Sequence, residues 1–136
     1  PPMYHGIELS KTGWVYGVVI QRNDEKFVYS SDLQGPTVED YADWIIEENP
    51  DFLLLDGPAT YLYGFMLNKT NLDRAVDNAT RIVDETDTDL VIYDHHLVRD
   101  DKYKDRTEKV WKTAEEQDKD VFTLAEYRGI EPAVLG

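Results

Sequence analysis

Two short apolar runs, FLLLD (Phe52 to Asp56) and LVIYD (Leu90 to Asp94), constrain this chain more than any other feature. Neither alternates apolar with polar residues, and each is too short for a buried helix. An unbroken run of this length, rich in branched and aromatic side chains, is the pattern of a parallel strand covered on both faces. Both runs end on an aspartate, and the second continues as DHHLVRD, with five ionisable residues in seven positions (Asp94, His95, His96, Arg99, Asp100).

Helical patterns separate the strands. Thr37 reads as an N-cap with Asp40 three residues on, a carboxylate variant of the capping box. The helix it opens runs to about Glu48, with Val38, Tyr41, Ala42, Ile45 and Ile46 on one face, and Asn49-Pro50 stops it. A second helix, from about Asn71 to Glu85, places Leu72, Ala75, Val76, Ala79, Ile82 and Val83 on one stripe. A third, charged helix is expected from about Lys102 to Gln117, and DVFTLAEYRG reads as a last strand and a helical turn. Upstream, GWVYGVVIQR and KFVYSSD flank the turn NDE as a hairpin, with a short strand expected before it at Ile7 to Leu9. The order is a β-hairpin followed by α, β, α, β, α, which predicts an α/β fold with a layered sheet. At 136 residues, 41% of them hydrophobic, and without repeats, the chain is expected to form a single domain over residues 1–136.

With no cysteine, a thiolate metal site, a disulfide and a Cys nucleophile are excluded. The formal charge of -14 repels phosphate polyanions, so a long nucleic acid is disfavoured as a partner. The acidity fits either an ordinary acidic protein or one from a salt-rich cytoplasm. No apolar run approaches the roughly 20 residues of a membrane span and no signal-peptide pattern opens the chain, so a cytoplasmic, membrane-free setting is expected.

Three predicted strands stop at acidic residues: Asp32, Asp56, and Asp94 with His95 and His96. Ligands of open α/β sheets bind beyond the carboxyl ends of the strands, so these residues would share one rim. Carboxylates gathered there repel one another unless a cation sits among them, and Asp with His suits zinc, manganese or iron. Asp32 and Asp56 each have an alternative as an N-cap or turn former. For Arg99 the alternatives are an ion pair with Asp94 or Asp100, or an anionic substrate. There is no phosphate-binding glycine loop and no GxSxG nucleophile elbow.

SSDLQGP, LLLDGPATYL and YDHHLVRD, in this order and spacing, resemble the second half of an uncharacterised archaeal family of metallo-β-lactamase-superfamily hydrolases, over roughly Tyr4 to Arg99. The resemblance implies the C-terminal half of an αββα sandwich and a site for one or two ions, usually zinc. It further implies His5, Asp32 and one of His95 or His96 as metal ligands, with His95 preferred as the first after the strand. His96 is then a proton donor to the leaving group, Asp32 a bridging ligand that orients the nucleophile, and Asp56, Asp94 and Arg99 supporting or substrate-facing residues. No HxHxDH is present, so the chain is expected to be the C-terminal portion of a metallo-hydrolase, associating with its missing N-terminal half or with a copy of itself. The implied reaction is attack of a metal-activated water on an ester or phosphodiester, of a small molecule or a phosphodiester substrate. Two alternatives stand beside it. One is a manganese-dependent DHH phosphoesterase, suggested by DHH itself. The other is a non-catalytic interaction domain that presents Tyr61, Tyr63 and Phe65.

Overall fold

A computed structural model describes residues 1–8 and 10–133. The strands are β1 (Pro2–Tyr4), β2 (Trp14–Tyr16), β3 (Val18–Arg22), β4 (Glu25–Tyr29), β5 (Phe52–Asp56), β6 (Leu90–Asp94) and β7 (Asp120–Phe122). The helices are α1 (Glu39–Glu48), α2 (Lys69–Glu85), α3 (Tyr103–Arg106), α4 (Glu108–Glu116) and α5 (Leu124–Tyr127). β3 to β7 form one mixed sheet in sequential order, with β3 antiparallel to β4 and the rest parallel. The fold is α/β.

The apolar runs form central, parallel strands, as their lack of alternation predicts, but their second face is covered only in part: Phe52, Leu54 and Leu90 are half-buried there and Ile92 is buried. α1, α2 and α4 pack side by side against the face that carries Val28, Leu53, Leu55, Val91, Tyr93 and Val121. The other face carries Ile20, Phe27, Phe52 and Leu90 in one cross-strand row and Val18, Tyr29, Leu54 and Ile92 in the next. Phe27 and Phe52 stack there at 5.0 Å, and Ile20 stays 55% exposed. A run without alternation states that both faces are apolar; it does not say that both are covered within the same chain.

Four element boundaries differ from the sequence-based reading, each for a local reason. The long first strand breaks at Gly17, where a Cβ would sit 2.6 Å from the Trp44 ring, so β2 pairs with β1 while β3 joins the main sheet. Ile7 and Glu8 lie in a bend and a turn, not a strand, and Leu9 lies outside the described residues. α1 starts at Glu39 and has no side-chain cap, because Thr37 is buried and its hydroxyl donates back to Gln34 O at 3.4 Å. The third helix is split at Thr107, whose buried hydroxyl donates to Tyr103 O and accepts from Trp111 Nε1 at 2.9 Å. A threonine that bonds its own preceding turn weakens helix continuity. α2 keeps its expected stripe, now capped by Asn68, which accepts from the Asn71 N–H.

Beyond β6 the chain turns sharply and is tied down by Asp100. Its carboxylate accepts from the Lys102 N–H at 3.1 Å and pairs with Arg106 at 3.0 Å, while Arg106 also donates to Thr60 O at 2.7 Å. Burial alone would raise the Asp100 pKa, but the Lys102 N–H and the Arg106 guanidinium outweigh it and hold the group below its ordinary value. Among the described residues no helix is long and apolar enough to cross a membrane.

Leu53, fully buried against the helices, is expected to cost about 2–5 kcal/mol when changed to Ala. Ile20→Lys, on the open face, is expected to stay within about 0.5 kcal/mol by denaturant unfolding. Because the folded Asp100 pKa is depressed, its contribution is complete above the ordinary value of 3.8 and is lost as pH falls through the lower folded value. Asp100→Asn should flatten that acid limb in a stability series across pH 2 to 6, about the range carboxylates titrate in.

Candidate metal centre

The carboxyl ends of β4, β5 and β6 meet at one rim because strand pairing continues past the strands themselves. The Ser30 N–H donates to Leu54 O and the Gly57 N–H to Asp94 O, each at 3.0 Å. These bonds bring the segment after β4, with Asp32, beside Asp56 at the end of β5 and His95 and His96 after β6.

Asp56 organises the rim. It is buried, and its carboxylate accepts the Gln34 N–H at 2.7 Å and the His96 N–H at 3.1 Å. His96 Nδ1 lies 2.9 and 3.1 Å from the same two oxygens. A buried carboxylate is tolerated where such donors surround it. The Asp56 N–H donates in turn to Ser30 Oγ at 2.9 Å, which anchors the strand end.

One donor atom each from Asp32, Asp56, His95 and His96 lies within 4.8 Å of the others. Three imidazole nitrogens approach a single oxygen, Asp32 Oδ1: His96 Nδ1 at 3.1 Å, His5 Nε2 at 3.2 Å and His95 Nε2 at 3.7 Å. Yet Asp32 Oδ1 is buried and accepts no hydrogen bond in acceptable geometry, and the buried His5 Nδ1 is also unpartnered. The groups are close but misaligned for bonding to one another, as donors to a shared ion are.

The backbone carries strain at the same place. Ser31, Gln34 and His95 adopt φ of 61°, 53° and 64° without being glycine. Left-handed conformations at such residues cost energy and collect where function requires a given side-chain direction. His95 is held in its turn by its own N–H, which donates to Asp94 Oδ1 at 2.6 Å.

The sequence-predicted site residues therefore divide. Asp32, Asp56, His95 and His96 form the group of four, and His5 joins through Asp32. Asp94 instead accepts from the His95 and Leu124 N–H groups, so it shapes the turn and caps the start of α5. Arg99 reaches neither Asp94 nor Asp100: it donates to Tyr61 Oη at 3.4 Å, over that ring, and Asp100 belongs to Arg106. Sequence reasoning missed Gln34 and Ser30. Gln34 was masked by Gln-Gly-Pro reading as a turn, but its Nε2 lies 3.4 Å from His96 Nε2.

Comparisons with known proteins place relatives in archaea. The chain is 38% identical over 134 residues to a UPF0282 protein of Methanopyrus kandleri, covering 98% of this chain and 44% of that one. It is 35% identical over 125 residues to a UPF0282 protein of Korarchaeum cryptofilum (92% and 41%). It is 39% identical over 136 residues to a UPF0282 protein of Pyrococcus abyssi (99% and 40%). No protein-family model matches the chain, and no solved structure does. The expected membership of the metallo-β-lactamase superfamily is thereby corrected: these relatives carry the UPF0282 name, and nothing in the comparisons points to that superfamily. Short acidic and histidine motifs at strand ends recur on unrelated α/β sheets, so they could not carry that identification. The chain is similar over nearly its whole length to archaeal UPF0282 proteins, and spans about two fifths of theirs.

Proposed function

We propose that the rim cluster binds a divalent metal ion and that the chain contributes it to a metal-dependent hydrolase acting on an ester or phosphodiester. The single observation behind this reading is the Asp32 oxygen, buried and without a hydrogen bond while three imidazoles crowd it. Two carboxylates and two or three imidazoles are borderline-hard donors, suited to zinc first and to manganese or iron next. A bound ion of this kind supplies an activated water and polarises the bond under attack.

The protein's own groups divide the remaining work. Asp56 accepts the His96 backbone N–H and lies against the His96 ring, so it fixes where that imidazole sits beside Asp32. With its side chain 7% exposed, His96 is the better ligand, and His95, 56% exposed, is placed to hand a proton to a leaving group. This exchanges the two roles expected from sequence order. Asp32 lies between all three histidines, where it can orient a nucleophile.

The apolar sheet face supports a second part of the reading. Val18, Ile20 and Tyr29, each 39 to 55% exposed, lie on the face opposite the helices. A continuous apolar face of this kind is an interaction surface. Since the relatives extend well beyond the matched region, we assign this face to a second layer, supplied by further polypeptide or by another copy of the chain in a cytoplasmic enzyme.

Direct metal analysis should find one or two equivalents of zinc, manganese or iron after loading and dialysis, with the ion lost in Asp32→Ala. A ligand at one hundred times its Kd adds about 2.7 kcal/mol to folding, so the melting temperature should rise with metal in the parent and not in the variant. A chain that takes up none of the three metals would sink the reading. For the sheet face, sedimentation of the 136-residue chain should show concentration-dependent association that Ile20→Lys weakens. A strictly monomeric parent would contradict the second layer as a copy of the chain.

A further inference from the structure

A cavity of about 260 Å³ adjoins the rim cluster, and His5 and Gln34 line both. Its walls come from three places: the loop between β1 and β2, the loop between β4 and α1, and the segment leading from β5 into α2. Its polar lining residues are Ser10, Thr12, Thr37, Gln34 and Asn71, beside an apolar wall of Ile7, Leu62, Met66 and Leu67.

Charge is what this lining lacks. Of 136 residues, 31% are Asp, Glu, Lys or Arg, yet none of the described residues lining the cavity is. Arg74 touches the lining at Asn71, donating to its Oδ1 at 3.4 Å. Its guanidinium is already committed to Glu8 at 2.7 Å and to Glu39 at 2.8 and 3.0 Å. An anionic group entering here would meet no Asp, Glu, Lys or Arg side chain among the described lining residues, so the walls of the cavity offer its charge no partner of their own, inside the field of a chain of charge -14. A neutral polar group with a short aliphatic chain meets hydroxyl and amide partners and an apolar wall. The volume lies under the roughly 300–1,000 Å³ of drug-sized pockets, a size that a chain of a few carbons fills.

We propose that this cavity holds the substrate and selects an uncharged carboxylic ester with a short aliphatic acyl group, over a phosphodiester. The proposal rests on the reading of the rim as a hydrolytic metal centre. In the reaction so assigned, the oxygen of water bonds to the acyl carbon as the acyl C–O bond breaks. One proton of that water passes to the departing alkoxide, and the products are the acid and the alcohol.

The test uses the full chain and two probes of similar size: butyramide, a neutral and slowly hydrolysed mimic, and the diethyl phosphate anion. Titrations followed by amide NMR, on samples whose zinc, manganese and iron content is measured separately, should show saturable butyramide shifts at Gly6, Thr12, Gln34 and Leu67. Diethyl phosphate should bind at least tenfold more weakly. Leu67→Trp, which fills the cavity, should abolish the butyramide shifts while metal uptake persists. Should that variant not fold, Thr12→Val, at an exposed loop position, should weaken butyramide severalfold. Metal uptake together with equal or tighter diethyl phosphate binding would overturn the substrate class and leave the metal centre standing. Butyramide shifts outside the cavity, or insensitive to both variants, would also overturn it. Butyramide binding by a chain that takes up none of the three metals would overturn the hydrolase, and the substrate class with it.

Discussion

The Asp56 carboxylate is the contact on which the rim depends. It lies at the end of a central strand, out of water, and such a position is unfavourable for a charge unless donors close around it. Those donors come from two other segments: the Gln34 N–H from the loop after β4, and the N–H and ring of His96 from the turn after β6. Satisfying one buried carboxylate therefore sets the position of two loops. His95, the neighbour of His96, is carried to the same place. Removing either donor would leave the carboxylate short of partners, a cost of about 1–3 kcal/mol or more for a charged group.

Left-handed backbone at Ser31, Gln34 and His95 follows from that geometry. Gln34 must turn its N–H toward Asp56, and His95 must reverse direction within one residue so that His96 can lie under the rim. The strain is held by the ladder bonds that run beyond β4 and β5 and by the packing of Tyr93 and Leu97 around Gly57, where a Cβ would sit 2.7 Å from Leu97 Cβ. Tyr93 is fully enclosed there, and burial pushes its phenol well above the usual range. A tightly packed floor beneath a strained rim is the arrangement that keeps donors in place without a ligand.

Much of this was legible before the fold. Unbroken apolar runs ending in Asp56 and Asp94 identified central parallel strands, and the stripe from Leu72 to Val83 identified α2, because periodicity reports directly on burial. Asp32, Asp56, His95 and His96 were legible as candidates because strand ends are where α/β sheets place ligands. Gln34 was not legible: its contribution is a backbone N–H and an amide aimed across 62 positions of sequence toward His96, and no local pattern encodes such a contact. The split at Gly17 was hidden for the same reason, since it depends on Trp44, brought in by folding, whereas the split at Thr107 is a local event between Thr107 and the residues four positions before and after it, Tyr103 and Trp111.

By itself the sequence determined the element types, the α/β class and the acidic-histidine chemistry available at the strand ends, since these follow from local periodicity and residue type. Only the tertiary structure decided which of those residues meet. Asp94 and Asp32 look alike as carboxylates after strands, yet backbone N–H groups occupy Asp94, while Asp32 keeps a buried oxygen open among three imidazoles. The difference arises from where the neighbouring chain supplies hydrogen-bond donors, a property of the assembled sheet and its loops. The one-sided sheet belongs to the same category. Residue type makes both faces apolar, but sequential strand order with all three long helices on one side leaves the other face partly open, most of all at β3 and β4.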